Sequence, residues 1–249
     1  MSVEGMTTRS ALILIDCILA RMETWGRIGH FIEFGTYKGR TATLLASRTT
    51  ERNWFHAVEQ SDYLQEEEIM KWTERYTWHR SKSEPFVQDS LCELLGNEKV
   101  AFTHHDASHF FDNVATELEH TIPYMDEEGV IVLDDFCDSF SQVRAAYYYL
   151  KYARKIPYEL LLIGFNKAFF VRESRFDEWE SFILESLLEN LESYGLECML
   201  VRSDINPHSR NFFVRQREPE EDMLYGTRFW GNRFYKHSAD FLNKTPPKY

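Results

Sequence analysis

The sequence predicts an α/β fold with a mostly parallel sheet that ends in an antiparallel hairpin. Three observations carry this. Short apolar, β-prone runs alternate with segments of helical spacing across residues 28–172. One run, Gly-Val-Ile-Val-Leu at 129–133, is apolar throughout, as strands buried on both faces of a parallel sheet are. The stretch 31–46 reads as strand, glycine turn and helix, the local build of a nucleotide-type ligand site.

The first expected element is a helix over residues 7–24. Its apolar part, 11–20, is interrupted by Asp16 and is too short to span a bilayer. It has no basic lead-in or small-residue cleavage site, so it reads as an amphipathic helix packed on the sheet. After the opening strand and the helix at 41–47, residues 53–60 form a second strand ending in an acid, Glu59. Leu64, Ile69 and Trp72 give 63–75 helical spacing. A short third strand, 76–80, leads into Ser81-Lys82-Ser83-Glu84, and Pro85 suits the start of a helix over 86–95. The fourth strand, 99–105, delivers His104-His105-Asp106-Ala107-Ser108-His109, and a helix follows at about 112–122. Asp134-Asp135-Phe136 closes the apolar strand. A helix over 142–153 precedes strands 159–164 and 167–172, which the two-residue turn Phe165-Asn166 makes a hairpin.

Beyond residue 172, Trp179, Phe182, Ile183, Leu187, Leu188 and Leu191 predict a helix over 177–194, and 196–202 with 211–216 a further strand pair. Residues 223–249 mix arginines with aromatics (Arg228, Phe229, Trp230, Arg233, Phe234, Tyr235) and are expected to pack on the core or form a dimer contact. The expected division is an N-terminal helical segment (1–27), a core (28–172) and a C-terminal appendage (173–249).

The net charge of −12 offers no basic footprint for nucleic acid or an anionic membrane. Cys17, Cys92, Cys137 and Cys198 lie far apart, which suggests neither a disulfide scaffold nor a zinc knuckle and suits a reducing, cytoplasmic setting.

The glycine turn spells Glu-Phe-Gly-Thr-Tyr-Lys-Gly-Arg-Thr, with Glu33 at the strand end. This is neither the dinucleotide fingerprint nor the P-loop, since Arg40 follows Gly39 and no glycine stands at Thr36 or Tyr37. Glu59 falls 20 positions after Gly39, near where an α/β nucleotide site places the carboxylate for the ribose hydroxyls. The turn resembles the first motif of class I S-adenosylmethionine (SAM) methyltransferases, and most nearly the metal-dependent small-molecule O-methyltransferases of the macrolide-sugar and catechol type. The resemblance covers about residues 28–172. It implies a Rossmann-like methyltransferase fold, with Glu33, Gly35, Thr36 and Gly39 at the methionine part of SAM, Glu59 at the ribose, Ser83 at the adenine edge and Asp106 also in the cofactor site.

Asp106 ends one strand, and Asp134 and Asp135 end another that is expected beside it. Three carboxylates on one rim repel each other unless a cation lies between them, and oxygen donors favour a hard ion such as Mg2+. In the related enzymes these three places hold metal ligands. A divalent ion lowers the pKa of a bound hydroxyl, and a nearby base takes its proton. His109, three positions after Asp106, is the candidate base; the related sugar enzymes have a histidine at this place and the catechol branch a lysine. His104 and His105 read as packing residues, Lys38 and Arg40 as surface residues, and Asp138 as solvated. A zinc site from His105, Asp106 and His109 is the weaker alternative.

The expectation is therefore a SAM-dependent O-methyltransferase for a small-molecule hydroxyl, assisted by Mg2+, with a sugar or natural product favoured. Neither nucleic acid nor membrane is an expected partner, and a homo-oligomer is left open. The rivals are a metal-independent methyltransferase of the same fold and a non-catalytic binding or assembly module. An NAD-linked oxidoreductase stands further off, because the glycine spacing is wrong for it.

Overall fold

The computed structural model describes residues 3–26, 29–137, 141–202 and 210–216; Asp138 and the aromatic tail at 223–249 lie outside them. Among the described residues the strands are β1 (His30–Phe34), β2 (Phe55–Val58), β3 (Tyr76–His79), β4 (Val100–His105), β5 (Met125–Leu133), β6 (Tyr158–Gly164), β7 (Lys167–Arg172), β8 (Cys198–Arg202) and β9 (Phe212–Gln216). They form one sheet in the order β3-β2-β1-β4-β5-β7-β6-β9-β8. The first five pair in parallel, and β7 is antiparallel to both β5 and β6. From β1 the chain steps out through β2 to β3, then returns to the other side of β1 for β4. Such a reversal opens a crevice at the carboxyl ends of the strands, where open α/β sheets bind ligands.

Helices cover both faces. Along β5, Val130 and Val132 join a core that includes Leu14, Ile18, Trp179 and Leu187, while Ile131 and Leu133 join a second core with Val114, Leu118 and Tyr147. Successive side chains of a strand point to opposite faces, so a strand sandwiched between helices is apolar at every position.

The N-terminal helix α1 (Arg9–Thr24) begins where the Thr8 hydroxyl accepts the Ala11 N–H at 3.2 Å. It is more deeply buried than an amphipathic surface helix, with Ala11 to Ile15 all in the core. Asp16, the acid that interrupts its apolar run, is held by Arg48 at 2.7 Å and by the Tyr194 hydroxyl at 2.7 Å. α2 (Arg40–Ser47) starts at Gly39, which is left-handed at φ 96°. The helix expected over 63–75 shrinks to α3 (Glu66–Met70). Only Leu64 and Ile69 there reach the core, while Met70 and Trp72 are exposed, so packing supports little more than one turn.

The expected hairpin of β6 and β7 forms, but it does not end the sheet. β9 pairs in parallel with β6, and β8 pairs antiparallel with β9. This strand pair covers what would otherwise be an open edge at Leu162–Gly164.

Candidate active site

Backbone hydrogen bonds set the carboxyl ends of five strands in register. Glu59 N–H donates to His79 O at 3.1 Å, Gly35 N–H to Val58 O at 2.9 Å, Asp106 N–H to Phe34 O at 2.9 Å, and Asp134 N–H to His105 O at 3.0 Å. The residue following each strand therefore stands on one rim, which is why Glu59, Gly35, Asp106 and Asp134 meet although the sequence spreads them widely.

Gly35 must be glycine for two reasons. Its φ is +79°, and a Cβ there would lie 2.2 Å from the Asp106 carbonyl oxygen and 2.4 Å from Ala107 Cα. Its lack of a side chain lets β1 and β4 leave the sheet side by side. Glu59 braces the same turn: Oε2 accepts the Tyr37 N–H at 2.7 Å, and Oε1 accepts the Ser61 N–H and hydroxyl at 2.8 and 2.7 Å. Tyr37 itself is left-handed, at φ 51°. Oε2, which accepts a single bond, keeps a second lone pair for a ligand hydroxyl.

Beneath the rim, Glu33 Oε1 lies 2.9 Å from His104 Nδ1, and both side chains are buried. Burial first, and the Asp106 carboxylate next, hold the Glu33 pKa well above the usual glutamate range. Burial also brings His104 down to about 3. Among the described residues Glu33 Oε2 and Thr36 Oγ1 have no hydrogen-bond partner, and both residues line the cavity above. A buried carboxylate oxygen left open in this way suits an ammonium group that brings its own protons.

Asp134 is engaged on both oxygens. Oδ1 accepts the Asp135 N–H at 2.7 Å, and Oδ2 meets the ammonium of Lys167, itself almost fully buried. Burial is the largest influence and works against the Asp134 charge, yet Lys167, His104 and Asp106 together outweigh it and the pKa falls below the ordinary aspartate value. Asp135, left-handed at φ 52°, accepts from Asn166 Nδ2 at 2.6 Å and lies 2.9 Å from His109 Nε2. His109 Nε2 is also 3.7 Å from Asp106 Oδ1. The Asp106 carboxylate most strongly, and Asp135 after it, raise the His109 pKa against the effect of burial. Asp106 is in turn pushed up to about 7, by burial first and with the Asp134 charge adding to it. The site therefore holds a His–Asp pair in which both pKa values are raised.

For a divalent ion the donor chemistry is right, but the geometry fits only in part. Asp106, His109 and Asp135 each offer an atom within 4.8 Å of the others, and so do His104, Asp106 and Asp134. Among the described residues the three aspartates do not form such a group by themselves, and Asp134 already has its cation in Lys167.

The cavity over this rim measures about 460 Å³ and is lined by Glu33, Thr36, Glu59, Asp106, His109 and Asp134 among others. A neighbouring hollow of about 320 Å³ shares Gly35, Glu59 and Ala107 with it and reaches Ser83. The two adjoin at the glycine turn. Arg40, read as a surface residue, lines the larger cavity together with Gly5, Met6, Thr7 and Thr8. Thr7 Oγ1 meets Thr41 Oγ1 at 2.9 Å, and Glu4 pairs with Lys38. His105 is buried against Glu117 at 2.8 Å and Thr103 at 3.1 Å, away from the cleft, so the zinc alternative loses a ligand.

Sequence reasoning missed Lys167 and Asn166. The expected hairpin held part of the signal, and the register supplies the rest. A hairpin antiparallel to β5 returns the chain to the same rim, and Leu133 pairs with Ala168, so the residue before Ala168 arrives beside Asp134.

Residues 32–136 match a family model described as a methyltransferase domain. Among solved structures, the O-methyltransferase NovP is similar at a TM-score of 0.54 and 12% identity, over 66% of this chain and 79% of that one. CalS11, a TDP-rhamnose 3′-O-methyltransferase of calicheamicin biosynthesis, is similar at 0.55 and 16%, over 67% and 81%. The S-adenosylhomocysteine-bound methyltransferase PaMTH1 of Podospora anserina is similar at 0.50 and 15%, over 68% and 80%. No curated protein matches the chain by sequence. Residues 32–136 thus match a methyltransferase-domain model, and the fold is the Rossmann-like one of these O-methyltransferases.

Proposed function

We propose that this chain transfers the methyl group of SAM to a hydroxyl of a small molecule, a sugar or natural product before a catechol. The observation that carries the reading is the arrangement of His109 between Asp135 and Asp106 at the mouth of the cleft that Glu59 and Glu33 line. Ser83 would meet the adenine, and Glu59 the ribose hydroxyls. The open Oε2 of Glu33 would take the methionine ammonium, with Gly35, Thr36 and Gly39 framing that end.

Methyl transfer from a sulfonium is mainly a matter of in-line positioning. The acceptor hydroxyl needs a base. With Nε2 protonated beside the carboxylates of Asp135 and Asp106, His109 would carry its basic lone pair on Nδ1. The hydroxyl proton passes to that nitrogen as the new O–CH3 bond forms and the S–CH3 bond breaks. The products are the methyl ether and S-adenosylhomocysteine.

A metal-assisted form of the same reaction is the second reading. The grouping of Asp106, His109 and Asp135 within 4.8 Å favours it, as does an Asp106 carboxyl that burial holds at about 7. Mg2+ would lower the pKa of the acceptor hydroxyl. Asp106 and Asp135 would hold it, while Asp134, the third member of the expected set, is engaged by Lys167.

Among the described residues no helix is long and apolar enough to cross a membrane. The four cysteines are free, which fits a reducing, cytoplasmic setting. The test is incubation with methyl-labelled SAM and a panel of nucleotide sugars, glycosides and catechols, with and without a strong chelator. Label should enter a hydroxyl acceptor, and His109→Gln should cut the rate by roughly 100-fold or more. Label entering only amine or carboxylate acceptors would overturn the reading. Activity that survives the chelator would remove the metal-assisted form.

A further inference from the structure

The proposed chemistry leaves one buried group of the rim without a role, Lys167. It is the first residue of β7 and is 2% exposed, with its ammonium on Asp134 Oδ2. The turn that delivers it is rigidly tied. Phe165 and Asn166 are both left-handed, as a two-residue hairpin turn requires. The Asn166 carbonyl accepts the Phe136 N–H at 3.1 Å, and its side-chain oxygen accepts the Cys137 N–H at 3.1 Å. The loop after β5 and the hairpin turn are thus stitched together, and Lys167 is held against Asp134 by backbone geometry rather than by a flexible reach.

A hard divalent ion gathers several oxygens that face it directly. Both oxygens of Asp134 are already engaged, Oδ1 by a backbone N–H and Oδ2 by the ammonium. We propose that Lys167 takes, at Asp134, the place of a divalent cation, so that any metal ion at this rim is held without Asp134. The proposal rests on the methyl-transfer reading for its functional meaning, though not for its geometry. An ammonium fixed by the fold supplies positive charge to the acidic rim permanently, whatever the metal supply. Removing it leaves a buried carboxylate uncompensated beside Asp106, which is what attracts a hard ion.

The test is titration of the full chain with Mn2+, following free ion by electron paramagnetic resonance, on wild type, Lys167→Gln and Asp134→Asn. The expected result is at least tenfold tighter Mn2+ binding by Lys167→Gln than by wild type, with Asp134→Asn leaving the wild-type affinity unchanged. Saturable wild-type binding that Asp134→Asn abolishes would overturn the proposal, and so would a folded Lys167→Gln with no gain. If Lys167→Gln is too unstable to titrate, its melting temperature serves instead. A rise with Mn2+ that wild type does not show supports the proposal, and no rise overturns it. Titration with S-adenosylhomocysteine runs alongside. Its failure in wild type would count against the methyltransferase reading alone.

Discussion

Glu59 shows how much one side chain does at the cleft. Its carboxylate ties the Tyr37 N–H to Ser61 and so holds the glycine turn against the end of β2. Glu59→Ala removes both this brace and the acceptor for the ribose hydroxyls. Hydrogen bonds to a charged group are worth about 1.5–3 kcal/mol, so S-adenosylhomocysteine affinity should fall by at least about tenfold, read by calorimetry. The His109–Asp106 pair predicts a pH profile. Both pKa values are raised, Asp106 to about 7, so the base is protonated in acid and becomes available as pH rises. kcat/KM should climb by about tenfold per unit below this range and level off above it, and His109→Gln should flatten the climb.

At the scale of elements, the strand–turn–helix of β1 and α2 positions the rim. Gly35→Ala introduces a left-handed alanine and a Cβ 2.2 Å from a carbonyl oxygen, so the loss should be about 2 kcal/mol or more by urea unfolding. Gly26 is also left-handed, at φ +69°, but has no atom within 4 Å of a Cβ, and Gly26→Ala should cost only about 1 kcal/mol. A similar cost at both positions would contradict the close-approach argument. These elements were legible in the sequence because each rests on local signals: the apolar run of β5, the glycines of the turn, the acids at strand ends. The Lys167–Asp134 pair was not, because it depends on the register between β5 and β7. The short α3 was also missed, since helical spacing says nothing about whether a neighbour exists to cover Met70 and Trp72. That Glu33 pairs with His104 follows only from β1 lying beside β4, with the two residues in register.

For the whole molecule, the sheet carries a buried histidine row that the cleft does not use. His30 Nδ1 meets His56 Nε2 at 2.7 Å, and His56 Nδ1 meets His79 Nε2 at 3.0 Å, across β1, β2 and β3. Burial first, then the neighbouring histidines, bring His56 down to about 3. Below pH 6.5 the unfolded chain takes up a proton there that the folded chain refuses until about pH 3. Stability is therefore fully present above 6.5 and falls as pH drops, by about 2 kcal/mol at pH 5 for this one group. Glu33 and Asp106 have raised pKa values and work in the opposite sense, so the comparison should be made against His56→Phe. On going from pH 7.5 to pH 5 the urea midpoint should change more favourably in that variant than in wild type.

The same sheet that buries these groups sets one rim for the cofactor, and binding there tests the account most directly. Isothermal titration of the full chain with S-adenosylhomocysteine should give one saturable site of micromolar affinity, weakened in Glu59→Ala while Gly26→Ala binds as wild type does. No saturable binding by the folded wild-type chain, or binding that Glu59→Ala leaves intact, would contradict it.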